Sequence, residues 1–70
     1  MKATITTKNG ITVSGEVTYL GSHTIAFDAK LSANEADELA KEGANVSELA
    51  FKKWHVQTPR RIIEKYELAD

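Results

Sequence analysis

Apolar residues in the first 31 positions of this chain occur at alternate positions, and this alternation constrains the fold more than any other feature. The apolar odd-numbered positions are Ala3, Ile5, Ile11, Val13, Val17, Tyr19, Ile25, Phe27, Ala29 and Leu31. Most even-numbered positions carry Thr, Ser, Lys, Glu or Asp, and Leu20 and Ala26 lie outside the pattern. Because successive side chains of a strand point to opposite faces, the pattern predicts a sheet with one apolar face.

The Asn-Gly pair at 9–10 marks the first turn. A two-residue loop there would set Ile5 opposite Ser14 and mix the two faces. A three-residue loop that begins one residue earlier pairs Ile5 with Val13 instead, and it keeps the apolar face intact. Gly10 then occupies the third loop position, which requires a left-handed backbone.

The Gly-Ser-His segment at 21–23 predicts a second three-residue loop, which pairs Tyr19 with Ile25 and Val17 with Phe27. The sequence therefore predicts a meander of three antiparallel strands, near 2–7, 11–20 and 24–31.

Gly15 lies in the middle of the second predicted strand, opposite Ala3 and Ala29. An interior glycine indicates a sharp bend or a close approach of another backbone, and a bent second strand curls a small sheet towards a barrel. A flat meander that tolerates the glycine is the alternative.

A helix is predicted over residues 33–42. Ser32 and Glu35 form a capping box at its start, and Gly43 is a suitable residue to end it. Its apolar stripe is narrow, so we expect it to cover one edge or mouth of the sheet. The stripe consists of Ala36, Leu39 and Ala40.

The segment after the helix has two interpretations. Residues 45–50 resemble a short capped helix, and Thr58-Pro59 resembles the start of another. Against the second helix, Arg60 and Arg61 would lie at the positive end of its dipole. We favour a strand near 51–57, a single turn at Pro59 and a final strand near 62–68.

The combination of Asn9-Gly10, the central Gly15 and the strand from Ile25 to Ala29 resembles small SH3-like and Sm-like β-barrels over residues 3–31. The resemblance implies a mostly β (α+β) fold. The predicted fold is a curled antiparallel sheet or SH3-like barrel of about five strands, with the helix inserted after the third. The chain starts with a strand where Sm-like chains start with a helix, so no binding residue or ring assembly is carried over.

Composition restricts the function classes. The 70 residues indicate one domain, 1–70, and the absence of cysteine excludes disulfides and Cys-based zinc sites. His23 and His55 are too far apart to form a helical metal motif, and no nucleophile or phosphate-binding motif is present. We expect a non-enzymatic chain without metal or cofactor. No apolar run reaches the length of a signal-peptide core or a membrane span, so a cytoplasmic location is expected, without membrane partners.

The strongest functional signal is the segment 51–61, which combines aromatic and basic side chains. Aromatic rings stack on bases, and cations neutralise phosphates. The segment predicts single-stranded nucleic-acid binding, with Trp54 as the stacking residue. The proposed phosphate-binding residues are Lys52, Lys53, Arg60 and Arg61.

A protein-interaction or self-associating module is the alternative. An open meander leaves unpaired strand edges, and Leu20 is a candidate for a dimer patch. In size, charge balance and lack of cysteine, the chain resembles small accessory proteins of phages and other mobile elements.

Overall fold

The structure is a computed structural model that describes all residues, 1–70. It contains one antiparallel sheet of six strands, which is not closed, with the strand order β4-β5-β3-β2-β1-β6. The prediction of a mostly antiparallel sheet with one helix after the third strand is confirmed, although the strands number six where about five were predicted. The elements are β1 Lys2–Thr7, β2 Thr12–Leu20, β3 Thr24–Lys30, α1 Ala33–Glu42, β4 Asn45–Ala50, β5 Lys53–Pro59 and β6 Ile63–Ala69, with a single 3₁₀ turn at Arg60–Ile62.

The first hairpin has the predicted register. Ile5 lies opposite Val13, and the amide of Thr7 donates to the carbonyl of Ile11 at 2.8 Å. Gly10 has φ +89°, so the third loop position is left-handed as the alternation requires.

The second hairpin differs from the prediction. Leu20, and not Tyr19, lies opposite Ile25. The amide of Gly21 donates to the carbonyl of Thr24 at 2.9 Å, so the loop contains two residues instead of three. The predicted pairing of Tyr19 with Ile25 is therefore wrong, because the shorter loop shifts the register by one residue.

A bulge at Thr18 compensates for this shift and preserves the predicted pair of Val17 and Phe27. A bulge adds one residue to one strand, so the side chains beyond it change face. Leu20 consequently lies on the core side of the sheet, and Tyr19 moves to the outer face opposite Ala26. The same shift explains why Leu20 departs from the odd-numbered pattern.

Gly15 allows a close approach between β2 and β3, as predicted. A Cβ atom at this position would overlap the carbonyl oxygen of Asp28 and would lie 2.8 Å from Cδ2 of Phe27. Phe27 is fully buried at the centre of the core. Any side chain at Gly15 would therefore push β2 away from β3.

Helix α1 has the predicted boundaries. The amide of Ser32 donates to the Glu35 carboxylate at 3.0 Å, and the amide of Glu35 donates to the Ser32 hydroxyl at 3.2 Å. These hydrogen bonds, the one from the Ser32 amide first, hold the pKa of Glu35 below its ordinary value of 4.5. Gly43 ends the helix with φ +112°. Ala36 and Leu39 are buried against the sheet.

The segment after the helix is extended, and both helical interpretations are wrong. β5 and β6 lie close to the predicted strands, and residues 60–62 form the single turn next to Pro59. β4 was not predicted. Its sequence lacks alternation, and pairing with β5 draws it into the sheet despite its helix-like cap.

The sheet must be strongly curved, because the connection of three residues between β5 and β6 is too short to cross a flat sheet. β5 ends beside Thr24, β6 begins beside Thr7, and these positions flank opposite ends of β2. Four strand spacings alone would separate β5 from β6 by about 19 Å in a flat sheet. The chain from Pro59 to Ile63 spans at most about 14 Å. The sheet must therefore curl around its core, and the amide of Lys8 donates to the carbonyl of Ile62 at 2.9 Å to hold the connection in place.

The core fills the concave side of this sheet, under α1. Its buried apolar residues are Ala3, Ile5, Val13, Ile25, Phe27, Ala29, Leu31, Ala36, Leu39, Ala44 and Val56. Neither α1 nor the 3₁₀ turn is long and apolar enough to cross a bilayer.

Candidate interaction surfaces

The residues predicted to bind nucleic acid divide into two groups. Lys52 and Lys53 lie at the beginning of β5, whereas Arg60 and Arg61 follow its end. A strand of this length separates the two groups by about 20 Å. The four cations therefore do not form one compact patch.

Trp54 lies on the core side of β5, opposite Ala29. It is half-buried and packs against the core. Its indole Nε1–H donates to the carbonyl of Leu31 at 3.2 Å, and the amide of Leu31 donates to the carbonyl of Lys52 at 3.0 Å. The side chain thus fixes the end of β3 against the β4–β5 turn.

Arg60 is bound to neighbouring groups within the chain. Its Nε–H donates to the carbonyl of Gly21 at 2.9 Å, and its Nη1 donates to the hydroxyl of Tyr66 at 3.0 Å. The guanidinium carbon lies 5.2 Å from the centroid of the Tyr66 ring, within the range of a cation–π contact. Arg60 therefore orients Tyr66, and Arg61 remains exposed.

The β4–β5 turn exposes an aromatic ring among cations. Phe51 is 86% exposed, and Nζ of Lys52 lies 5.3 Å from its ring centroid. Lys52 has φ +60°, the only positive value outside glycine. Lys53 pairs with Lys30 of β3, so three lysines surround this turn. The sequence prediction assigned the stacking role to Trp54, although Phe51 is the more exposed ring of the same segment.

β6 forms one free edge of the sheet. Tyr66 lies opposite Ile5 and Leu68 opposite Ala3, so both point to the core side. They are nevertheless 41% and 40% exposed, because no further strand covers them. Lys65 lies on the outer face. The apolar residues at alternate positions 66 and 68 are visible in the sequence. The sequence does not show that β6 is an edge strand, because this position depends on the order of all six strands.

An open groove of about 450 Å³ lies beside the first half of β6. The groove is lined by Arg60, Ile63, Glu64, Lys65 and Tyr66. Glu64 is the bulged residue of the β1–β6 pairing, since Thr6 faces Lys65 and Thr7 faces Ile63.

Asp28 and His55 connect β3 and β5 on the outer face. The His55 Nδ1 and Asp28 Oδ1 atoms are 2.7 Å apart, and both side chains are less than one-third exposed. Ser47 is the cross-strand neighbour of His55, but no hydrogen bond joins their side chains. No group of three or more His, Asp or Glu side chains is arranged to hold a metal ion.

The chain was compared with protein-family models, curated proteins and solved structures, and none of the three comparisons gives a match.

Proposed function

We propose that this chain is a small, non-enzymatic protein-interaction module that binds through the free edge of β6. One observation carries the proposal: β6 is seven residues long, only one of its edges is paired, and it exposes Tyr66 and Leu68 next to the core. An unpaired strand edge presents backbone donors and acceptors that a second strand satisfies, and the neighbouring side chains provide specificity.

The other free edge is less suitable for strand addition. β4 has six residues, and a bulge at Leu49 interrupts its pairing with β5. Bulges at sheet edges oppose edge-to-edge association because they twist the strand out of line. The β6 bulge at Glu64 lies near the beginning of the strand and leaves Lys65 to Ala69 regular.

Selection of random peptides displayed on phage tests this proposal. We expect peptides selected on the immobilised chain to shift the backbone amide resonances of β6 and β1 when they bind. Peptide binding should be lost in Leu68→Lys and retained in Leu49→Lys, which introduces the same charge on the β4 edge. The proposal is wrong if no peptide is selected, or if the selected peptides shift only resonances remote from β6.

Single-stranded nucleic-acid binding is the second candidate, and the exposure of Phe51 favours it. In this proposal Phe51 stacks on a base, and the neighbouring lysines at 30, 52 and 53 contact phosphates. The other residues that the sequence predicts for this function, Trp54, Arg60 and Arg61, then form a separate, second contact region. Three phosphate contacts on a single strand correspond to a log–log salt slope of about −2.

Titration of short DNA and RNA strands at low salt, followed by amide resonance shifts, tests this candidate. We expect shifts centred on the β4–β5 turn in the wild-type chain and weaker binding by Phe51→Ser. Lys8→Ser removes a distant cation and should leave binding within about twofold, apart from the small general effect of one charge. Absence of shifts at the turn at low salt would exclude nucleic-acid binding there.

We also propose that the sheet has an SH3-like arrangement. A curved antiparallel sheet, the close approach of β3 to Gly15 of a long second strand and a 3₁₀ turn before the last strand support an SH3-like arrangement. We propose a cytoplasmic accessory role for such a module.

A further inference from the structure

We propose that the partner of β6 is the β6 strand of a second copy, paired antiparallel in a register centred on Tyr66. This inference rests on the proposed protein-binding function and identifies its partner. The two copies are related by a two-fold axis through the Tyr66 pair, so the contact is isologous and closes as a dimer.

The charges of β6 complement each other in this register. Lys65 of each copy lies directly opposite Glu67 of the other. In an antiparallel pair centred on Tyr66, the residue before Tyr66 in one strand faces the residue after it in the other. Both side chains lie on the outer face of the sheet, opposite Thr6 and Thr4 of β1. Opposite charges at directly facing positions stabilise an antiparallel pair, whereas like charges there destabilise it.

The neighbouring registers lack this complementarity. Centring the pair on Lys65 sets the two Lys65 side chains against each other, and centring it on Glu67 does the same for Glu67. A shift by a single residue sets Glu64 against Glu67 or Lys65 against Leu68, and it also turns the core side of one copy to the outer side of the other. Only the Tyr66-centred register combines matched faces with two opposite-charge pairs.

The register also determines what the exposed side chains of Tyr66 and Leu68 face in the second copy. The two Tyr66 rings meet on the core side, and Leu68 of each copy lies opposite Glu64 of the other, beside the groove at the first half of β6. Arg60 already holds Tyr66 through its hydroxyl and its ring. A side chain that is ordered before association loses less entropy when the complex forms.

Sedimentation velocity on the wild-type chain is the first test. One added strand pair buries less surface than a standard protein interface, so association should be weak, with the mass rising from monomer to dimer between about 10 µM and about 1 mM. A monomer at every concentration would overturn the inference. If displayed peptides still bind β6 in that case, the protein-binding function stands and only its assigned partner is wrong.

Charge reversal identifies the register. Lys65→Glu creates two like-charged pairs across the axis, and Glu67→Lys does the same with the opposite sign, so each should weaken association at least tenfold. The double variant Lys65→Glu/Glu67→Lys restores opposite charges and should associate like the wild type. Lys41→Glu and Glu38→Lys make the same changes in net charge on the exposed face of α1, and each should shift association by less than threefold.

A mixture of the two single variants provides the decisive measurement. In the mixed dimer, both pairs formed by positions 65 and 67 combine a carboxylate with an ammonium group, so mixing Lys65→Glu with Glu67→Lys should produce dimers that neither variant forms alone. Far-ultraviolet circular dichroism confirms that each variant is folded. If the mixture remains monomeric while the wild type dimerises, the Tyr66-centred register is wrong.

Discussion

Thr7 and Thr58 are equally buried, at 1% exposure each, but only the Thr7 hydroxyl has a hydrogen-bond partner in the protein. Thr7 Oγ1 donates to Glu42 Oε2 at 2.9 Å and accepts from the Ile11 amide at 3.1 Å. This pair of contacts joins β1 to the last turn of α1 and to the first hairpin.

Replacement of Thr7 by Val should destabilise the fold. The variant leaves the Glu42 carboxylate and the Ile11 amide without the hydroxyl, and such losses cost about 1–3 kcal/mol. Urea unfolding measures the change in the free energy of unfolding. Thr7→Ser keeps the hydroxyl and should recover more than half of the loss, and equal stability of the wild type and Thr7→Val would contradict the assignment.

The same change at Thr58 should have the opposite sign. Val has nearly the shape of Thr, and Thr58→Val removes a buried hydroxyl that no protein group satisfies. We expect the free energy of unfolding to rise by about 1 kcal/mol. A decrease in urea denaturation would show that the Thr58 hydroxyl stabilises the native state.

Alanine substitutions at Gly15 and Gly21 should differ in cost, because the added methyl group meets backbone at Gly15 and only a side chain at Gly21. Gly15→Ala places a methyl group against the Asp28 carbonyl and the Phe27 ring, so it should lower the free energy of unfolding by about 2–4 kcal/mol. Gly21→Ala contacts only the far end of the exposed Tyr19 ring, which can rotate away, and should cost less than about 1 kcal/mol. Thermal unfolding compares the two variants, and a neutral Gly15→Ala would contradict the close approach of β2 and β3.

Lys52 carries backbone strain at the β4–β5 turn. A left-handed conformation costs a non-glycine residue about 1–2 kcal/mol, and replacement by glycine relieves this strain. Part of the relief is offset because glycine has greater conformational freedom in the unfolded chain. Lys52→Gly should therefore raise the free energy of unfolding by about 0.5 kcal/mol. Lys52→Val should lower it, because a branched side chain resists positive φ. The strain assignment fails if guanidinium unfolding ranks Val above Gly.

Glu35 should contribute to stability in a pH-dependent way. Its pKa is lower in the folded chain than in the unfolded one, so ionised Glu35 stabilises the fold above the unfolded-state pKa. This contribution disappears as the pH falls through the folded-state pKa. The melting temperature of the wild type should exceed that of Glu35→Ala at neutral pH, and part of this difference should vanish as the solution is acidified below the ordinary Glu pKa of 4.5. A difference that grows in acid would contradict the sign.

The local rules of the sequence predict most of the fold. The Asn-Gly turn, the Gly15 approach and the Ser32 capping box depend on residues near one another in the chain or on strict alternation, and all three appear as predicted. The Thr18 bulge escaped prediction because a three-residue loop and a two-residue loop with a bulge give the same Val17–Phe27 pair. Leu20 was the visible signal, since its face changes only if an extra residue is inserted.

The candidate interaction surfaces are less predictable from the sequence, for a physical reason. Whether Trp54 is exposed depends on the Leu31 carbonyl, and whether β6 has a free edge depends on the order of all six strands. Both are long-range properties. The composition of the 51–61 segment shows that it contains cations and aromatic rings. It does not show that β5 separates the two pairs of cations by about 20 Å.

The pairing of Lys2 with Ala69 has a consequence for the order of folding. Contacts between residues so far apart in the sequence close a long loop, so they form late and slow the search for the native state. The hairpins and α1 can assemble while the carboxyl-terminal strand is still unattached. β6 becomes an edge only when it docks on β1, so a chain in which β6 is still unattached would lack the surface that we propose two copies use to recognise each other.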